Sequence, residues 1–160
     1  MNKFNFNINY INLTLFVILL IWLILIYFSF LTILFPFLSF LQPIIYKMFS
    51  LVCHQEKDKV FTYLGMSTNV CFRCLGLYWG AFISSFFIFF FSKLYLHARK
   101  VLFFIALILL AIDVFLVNLG VYKYNIYTSF LTGIFLGFIC FLYLYKSIFE
   151  QFSQEKNIDD

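Results

Sequence analysis

The sequence predicts an all-α protein with four transmembrane helices and a loop bearing cysteine and histidine between the first and second spans. Two observations lead to this prediction. Apolar residues make up 64% of the chain and charged residues 11%, with a mean hydropathy of +0.99, whereas soluble domains are nearer one half apolar. The second observation is four apolar stretches with few charges, each near the ~20 residues that cross a bilayer as a helix.

These stretches define a single membrane domain over residues 11–145. The first stretch has 25 residues without a charge, which is too long for the apolar part of a signal peptide, so it is interpreted as a permanent anchor. Residues 44–52 follow it and are predicted to form a short amphipathic or re-entrant helix. The predicted spans are residues 11–35, 71–91, 101–119 and 126–145, between a polar arm at 1–10 and a polar tail at 146–160.

Three of the four cysteines and one of the two histidines fall within residues 53–80. Cys71 and Cys74 have the Cys-x-x-Cys spacing that lets two thiolates bind one ion, and Cys53 or His54 would complete the set. Adjacent side chains diverge, so Cys53 and His54 are not expected to bind one ion together without a distorted turn. One of them is expected to support the ligands instead. The predicted cofactor is a transition metal, with zinc first and copper or iron open.

Asp113 is the only acidic residue within a predicted span. A charged carboxylate within the bilayer costs free energy, so Asp113 is expected to be paired with a cation, to be protonated, or to have a functional role. Four spans place the start of the second and the end of the third at the face that carries the cysteine loop, and Asp113 lies ~9 Å from that face. Arg73 is the expected counter-charge. An ion pair between spans and a functional role for Asp113 are both open.

Two pairs of glycines stand one helical turn apart in the second and fourth spans. They are Gly76 with Gly80, and Gly133 with Gly137. Small residues at this spacing let helix backbones approach closely in lipid. Close packing of the second span against the fourth is therefore expected.

Two boxes of residues have rare residue types at fixed spacing. They are Ile45, Tyr46, Phe49, Ser50, Cys53, His54, Gln55, Phe61, Cys71, Arg73, Cys74, Gly76, Tyr78 and Gly80 in the first box, and Asp113, Gly120, Asn125, Thr132, Gly133 and Gly137 in the second. With these residues the sequence resembles a family of bacterial membrane proteins catalogued as domain of unknown function twenty-eighty-five. It departs from the family at Lys59-Val60 in place of Arg-Ser, at Val117 in place of Gln, and at Ser129 in place of Arg. The resemblance covers roughly residues 44–137 and implies a multi-span membrane protein without an associated activity.

Three functions stay open, and whether the protein is an enzyme is left undecided. The first is a metal site, for binding, trafficking or metal-assisted chemistry. The second is thiol–disulfide redox by Cys71 and Cys74, because a helix start and a neighbouring arginine lower a thiol pKa. The third is a structural or assembly protein whose loop is stapled by a disulfide or closed zinc knot. The residues expected to support the site are Gln55, Arg73, Tyr78, Asp113 and Asn125.

Two other functional classes, haem attachment and nucleic-acid binding, are excluded because their sequence motifs are absent. Leu75 follows Cys74 where the haem-attachment motif needs histidine. The chain has no cluster of basic residues interleaved with aromatic residues on a polar surface, so nucleic-acid binding is not expected. The expected partners are the lipid bilayer and other membrane proteins.

A multi-pass protein of the cytoplasmic (inner) membrane is expected. The short turn at residues 92–100 holds Lys93, Arg99 and Lys100, and short positive loops resist translocation. The turn is therefore predicted to be cytoplasmic, which places the cysteine loop outside the cytoplasm.

Overall fold

The computed structural model describes residues 2–56, 59–63, 65–90, 100–121 and 123–159. Most of the predicted basic turn, residues 91–99, lies outside the described residues. Within them the chain forms six α-helices and one β-hairpin. The elements are α1 (Asn2–Ile26), α2 (Phe28–Leu34), a 3-10 helix (Pro36–Leu41), α3 (Gln42–Ser50), β1 (Val60–Tyr63), β2 (Met66–Cys71), α4 (Phe72–Phe90), α5 (Lys100–Asn118) and α6 (Ile126–Asp159).

The predicted class, an all-α membrane protein with about four spans, is confirmed. Three helical segments are long and apolar enough to cross a bilayer, namely α4, α5 and Ile126–Ile148 of α6. The count is four if α1 and α2, which meet at an angle of 68°, are taken together as one broken span. The sequence predicted one uninterrupted first span, and this detail differs in the structure.

The break between α1 and α2 falls at Tyr27. Its backbone has φ −89° and ψ 13°, which is the bridge region that turn residues occupy. Helix α2 ends at Leu34, and Phe35 leaves the helical region with φ −128° and ψ 81°, since a following proline disfavours helical backbone at the residue before it. The first span therefore bends towards the short helix α3.

Helices α4 and α6 pack with their backbones in contact. A Cβ atom added at Gly76 or Gly80 would come closer than 3.0 Å to the carbonyl oxygens of Phe130 and Ile134, and a Cβ atom at Gly137 would come as close to that of Leu77. Gly133 faces Arg73 in the same way. All four glycines of the two predicted pairs thus lie in one helix crossing, which only glycine permits at this distance.

Helix α5 packs mainly against α6 and buries little of its own surface. Its buried residues are Ala106 and Asp113, while the residues between the terminal Lys100 and Asn118 are otherwise apolar and suit contact with lipid. An inward-facing polar residue on such a helix is well placed to anchor it to the bundle.

A β-hairpin precedes α4, where the sequence predicted only a connector. Strands β1 and β2 are antiparallel, with Thr62 opposite Ser67 and a bulge between Val60 and Thr62. Gly65 forms the turn with a φ of +78°, a conformation that glycine adopts without strain. Strand β2 runs directly into α4, so the last strand residue and the first helical turn lie side by side.

The two polar ends predicted at residues 1–10 and 146–160 are helical in the described residues. Helix α1 begins at Asn2, and α6 continues to Asp159. A helix of 34 residues is ~50 Å long and exceeds the ~30 Å hydrocarbon core. The last turns of α6 are therefore expected to extend beyond the bilayer.

Candidate metal centre

Cys53 lies three residues after the C-terminal end of α3. Its backbone N–H donates to the carbonyl oxygen of Phe49 at 2.9 Å, which extends the helical winding beyond Ser50. Phe49 is fully buried and Cys53 is 7% exposed. The short helix is therefore held by its buried face, and it delivers the cysteine side chain to the interior.

Cys71 and Cys74 lie after the hairpin turn in the sequence, and their side chains lie close to that of Cys53. Cys71 is the last residue of β2, and Cys74 lies in the first turn of α4. The Sγ atoms of Cys53, Cys71 and Cys74 all lie within 4.8 Å of one another. Sulfur ligands around a tetrahedral zinc ion at ~2.3 Å are about 3.8 Å apart, so a small adjustment brings the three sulfurs to ligand spacing.

His54 does not join this group. The three cysteines form the one cluster of potential metal ligands within the described part of the chain, and the His54 side chain is exposed. The next residue, Gln55, has a φ of +47°, which is uncommon for a residue other than glycine. This turn leaves Cys53 pointing inward and its neighbour outward, as expected for adjacent side chains.

The electrostatics of the three thiols differ. The backbone N–H of Cys71 donates to Cys53 Sγ at 3.2 Å. Hydrogen bonds from the Cys71 and Cys74 side chains, together with this backbone bond, lower the pKa of Cys53 well below that of an ordinary thiol. The hydrogen bond with Cys53 raises the pKa of Cys71. The three thiols therefore form one coupled group, in which hydrogen bonds from the neighbouring residues favour a thiolate at Cys53.

The surroundings of the sulfurs are apolar and aromatic. Cys53 packs in a buried cluster with Phe49, Val70 and Leu75. Tyr78, one turn after Cys74, is half-buried, and its ring is tilted by 56° against that of Trp22 with ring centroids 6.0 Å apart. Low polarity around thiolates strengthens their attraction for a cation.

Arg73, between the two cysteines of the Cys-x-x-Cys segment, joins the centre to α5 and α6. Its Nη2 donates to Asp113 Oδ2 at 2.7 Å and to Ser129 Oγ at 3.3 Å. Its guanidinium also lies 6.0 Å from the ring centroid of Tyr124, within the range of a cation–π contact. Asp113 therefore lies beside the first turn of α4, at the face that carries the cysteines.

Asn125 and Cys140 are not among the residues of the sulfur group. Asn125 is exposed, and its Oδ1 accepts the backbone N–H of Tyr127 at 2.9 Å, which caps the start of α6. Cys140, the fourth cysteine of the chain, lies near the middle of α6 and outside the group of three sulfurs.

Sequence patterns did not indicate a buried group of polar residues that are hydrogen-bonded to one another next to the strand that carries Cys71. Asn69 is 1% exposed and Ser29 is 4% exposed, and they are hydrogen-bonded to each other at 3.3 Å. Gln42 donates to both of them. The available signal was the presence of Ser29 and Gln42 in and next to apolar segments, since polar groups buried in a membrane protein need partners.

Comparisons with known proteins agree with this architecture. The profile of a family described as "Predicted membrane protein (DUF2085)" matches residues 53–143, from the first cysteine of the centre into the last span. An uncharacterized protein of Methanocaldococcus jannaschii is 32% identical over 108 residues, which cover 66% of this chain and 69% of that protein.

A second uncharacterized protein, from Methanothermobacter thermautotrophicus, is 32% identical over 86 residues, which cover 54% of this chain and 78% of that protein. Both relatives are archaeal, so the bacterial source suggested by the resemblance is not tested by them. No solved structure matches the chain.

Proposed function

The chain belongs to this family of predicted membrane proteins, and from its site we propose that it binds a transition metal ion through Cys53, Cys71 and Cys74 at one face of the membrane. The observation that carries the proposal is the convergence of three sulfur atoms within 4.8 Å of one another. A disulfide staple needs only two cysteines, whereas a metal centre uses every converging thiolate.

Zinc is the first candidate ion. Three thiolates supply three of its four tetrahedral positions, and the fourth is left to an exchangeable ligand, because the exposed His54 side chain lies outside the group of three sulfurs. A metal centre with three protein ligands and one exchangeable position suits transfer of the ion or metal-assisted chemistry more than a purely structural role. Copper(I) and iron also bind thiolates and stay alternatives.

We place the protein in the cytoplasmic membrane with the cysteine centre on the outer side. The basic residues of the turn at 92–100 support this orientation, because short positive loops stay in the cytoplasm. A centre in this position would meet metal ions or partner membrane proteins outside the cytoplasm.

The test is metal analysis of the full-length protein purified in detergent. About one transition metal ion per chain is expected, because the structure brings together one set of three thiolates. The variants C53S, C71S and C74S should each lose the ion, and the matched variant C140S should keep it. H54A should also keep the ion, because the His54 side chain lies outside the group of three sulfurs. Equal loss of metal in C140S would contradict the proposal.

Thiol chemistry gives a second readout. Metal-bound thiolates should resist alkylation until a chelator removes the ion. Thiols that are alkylated at once in freshly purified protein that holds no metal would overturn the proposal.

A thiol–disulfide redox function is the second candidate. The lowered pKa of Cys53, which hydrogen bonds from Cys71 and Cys74 cause, favours it, because the thiolate is the nucleophile in disulfide exchange. Oxidation of two of these thiols would release two electrons and two protons to an acceptor such as a membrane quinone, leaving a disulfide and a quinol. Metal-free protein that is isolated oxidised and is rapidly reduced by a mild thiol would support this function. A disulfide that resists reduction until the protein unfolds would indicate a structural staple.

A further inference from the structure

Gln55 and Asn69 each lie two residues from a cysteine of the metal centre. Gln55 follows Cys53 by two residues, and Asn69 precedes Cys71 by two residues. The Gln55 Nε2 donates to the carbonyl oxygen of Asn69 at 2.7 Å. One side chain therefore ties the segment that carries Cys53 to the strand that carries Cys71.

The amide of Gln55 is fully engaged as a donor. Its second hydrogen bond goes to the carbonyl oxygen of Tyr46 in α3 at 3.1 Å, and the residue is 9% exposed. A buried carbonyl needs a donor, and here a single amide serves two carbonyls from two elements. Glutamate has the same shape as glutamine but would place a negative oxygen against both of them.

Asn69 extends this link to the bend of the first span. Its Nδ2 donates to the carbonyl oxygen of Leu25 at 3.0 Å, next to the break at Tyr27. Its Oδ1 accepts hydrogen bonds from Ser29 and Gln42. The side chain of Asn69 thus binds the first span while its backbone oxygen binds Gln55.

The backbone of Gln55 also requires external support. A φ of +47° is rarely adopted by residues with a side chain, and such conformations persist where the surroundings determine them. The two side-chain hydrogen bonds of Gln55 provide that support. They hold the turn that points the Cys53 side chain inward.

We infer that Gln55 and Asn69 are positioning residues that set the separation of the Cys53 and Cys71 sulfur atoms, and with it the geometry and affinity of the metal centre. The inference rests on the proposed function where it concerns the metal. Its geometric part, the relative placement of two thiols, does not depend on any ion.

The first experiment uses Co²⁺, whose absorption reports the number and geometry of thiolate ligands, on full-length protein in detergent. Gln55→Glu is compared with Gln151→Glu, which alters an exposed residue of α6. Gln55→Glu should weaken Co²⁺ binding by about 10- to 100-fold, as loss of residues that orient ligands does. It should also change the spectrum at saturating Co²⁺.

A residue that only stabilised the fold would leave the saturated spectrum unchanged, and that result would overturn the inference. If Gln55→Glu does not fold, Gln55→Gly replaces it, because glycine accepts the positive φ without the side-chain bonds. The expected changes in affinity and spectrum are the same for this variant.

The second experiment needs no metal. In a C74S and C140S background, diamide oxidises Cys53 and Cys71 to a disulfide and takes up their two electrons and two protons to become the hydrazine. Gln55→Glu should slow this closure by about 10-fold, because effective concentration depends on alignment, and Gln151→Glu should not. An unchanged rate would overturn the inference. Slower closure in this background, together with a wild-type protein that fails to bind Co²⁺, would instead uphold the positioning role and reject the metal site.

Discussion

Arg73 and Asp113 are separated by 40 residues in the sequence, and the Arg73 Nη2 lies 2.7 Å from the Asp113 Oδ2. The carboxylate is 7% exposed and the arginine side chain 23% exposed. This ion pair links α4, at the edge of the sulfur centre, to a helix that otherwise presents mainly apolar side chains to the bilayer.

Substitution D113N should destabilise the protein, because it leaves a largely buried guanidinium without its counter-charge. Removing one partner of a buried pair costs about 3–5 kcal/mol, and the partial exposure of Arg73 puts the expected loss at the lower end. The free energy of unfolding in mixed detergent micelles measures it. The control is E150Q, which breaks an exposed pair with Lys146 at 3.9 Å and should cost less than about 1 kcal/mol. Equal losses in the two variants would show that the Arg73 pair adds nothing.

Substitution G137A should separate α4 from α6. An added methyl group would meet the backbone of Leu77, which cannot rotate away as a side chain does, so a loss of about 3 kcal/mol is expected. The control is G120A, where a Cβ atom meets nothing within 4 Å but the φ is +69°, and a loss of about 1–2 kcal/mol is expected. Thermal melting in detergent distinguishes them. A smaller effect for G137A than for G120A would contradict the backbone contact.

Positions 56 and 123 should be labelled from the same side of the membrane. The Lys59 Nζ lies 5.5 Å from the ring centroid of Tyr124, which joins the cysteine loop to the turn before α6. Single cysteines introduced at Glu56 and Lys123, in a background without the native cysteines, should react with a membrane-impermeant maleimide from one face. A cysteine at Lys100 should react from the other face. Labelling of positions 56 and 123 from opposite faces would rule out the four-span arrangement.

Substitution T68V should loosen the hairpin while keeping the shape of the side chain. Thr68 is 2% exposed, and its Oγ1 donates to the Val70 carbonyl at 2.9 Å and accepts the Phe61 N–H at 3.2 Å. Loss of these bonds leaves buried polar groups unpaired, at a cost of about 1–3 kcal/mol. Chemical denaturation measures the change.

The matched control for this prediction is T14V, since Thr14 is exposed and its hydroxyl bonds only to Tyr10 in its own helix. It should change stability by less than about 0.5 kcal/mol. A loss in T68V no larger than that in T14V would mean that the hairpin does not depend on the hydroxyl.

The sequence was sufficient for the membrane class, because composition and the length of apolar stretches reflect the local requirement that each span shield its own backbone. The two glycine pairs were also readable, since small residues one turn apart have few other uses in a membrane helix. The β-hairpin was not readable, because residues 60–71 are short segments whose strand pairing depends on the elements packed around them. The helix break at Tyr27 was not readable either, because no proline or glycine marks it in the sequence.

The same division applies to the candidate centre. By itself the sequence determined that Cys53, Cys71, Cys74 and His54 were the residues with metal-binding chemistry, since side-chain chemistry and the Cys-x-x-Cys spacing are local properties. Only the tertiary structure decided that three sulfurs converge while the imidazole stays outside the group, and that Asn69 stands behind them. Those outcomes depend on where a strand and two helices from distant parts of the chain come to rest, and packing and buried hydrogen bonds between them set those positions.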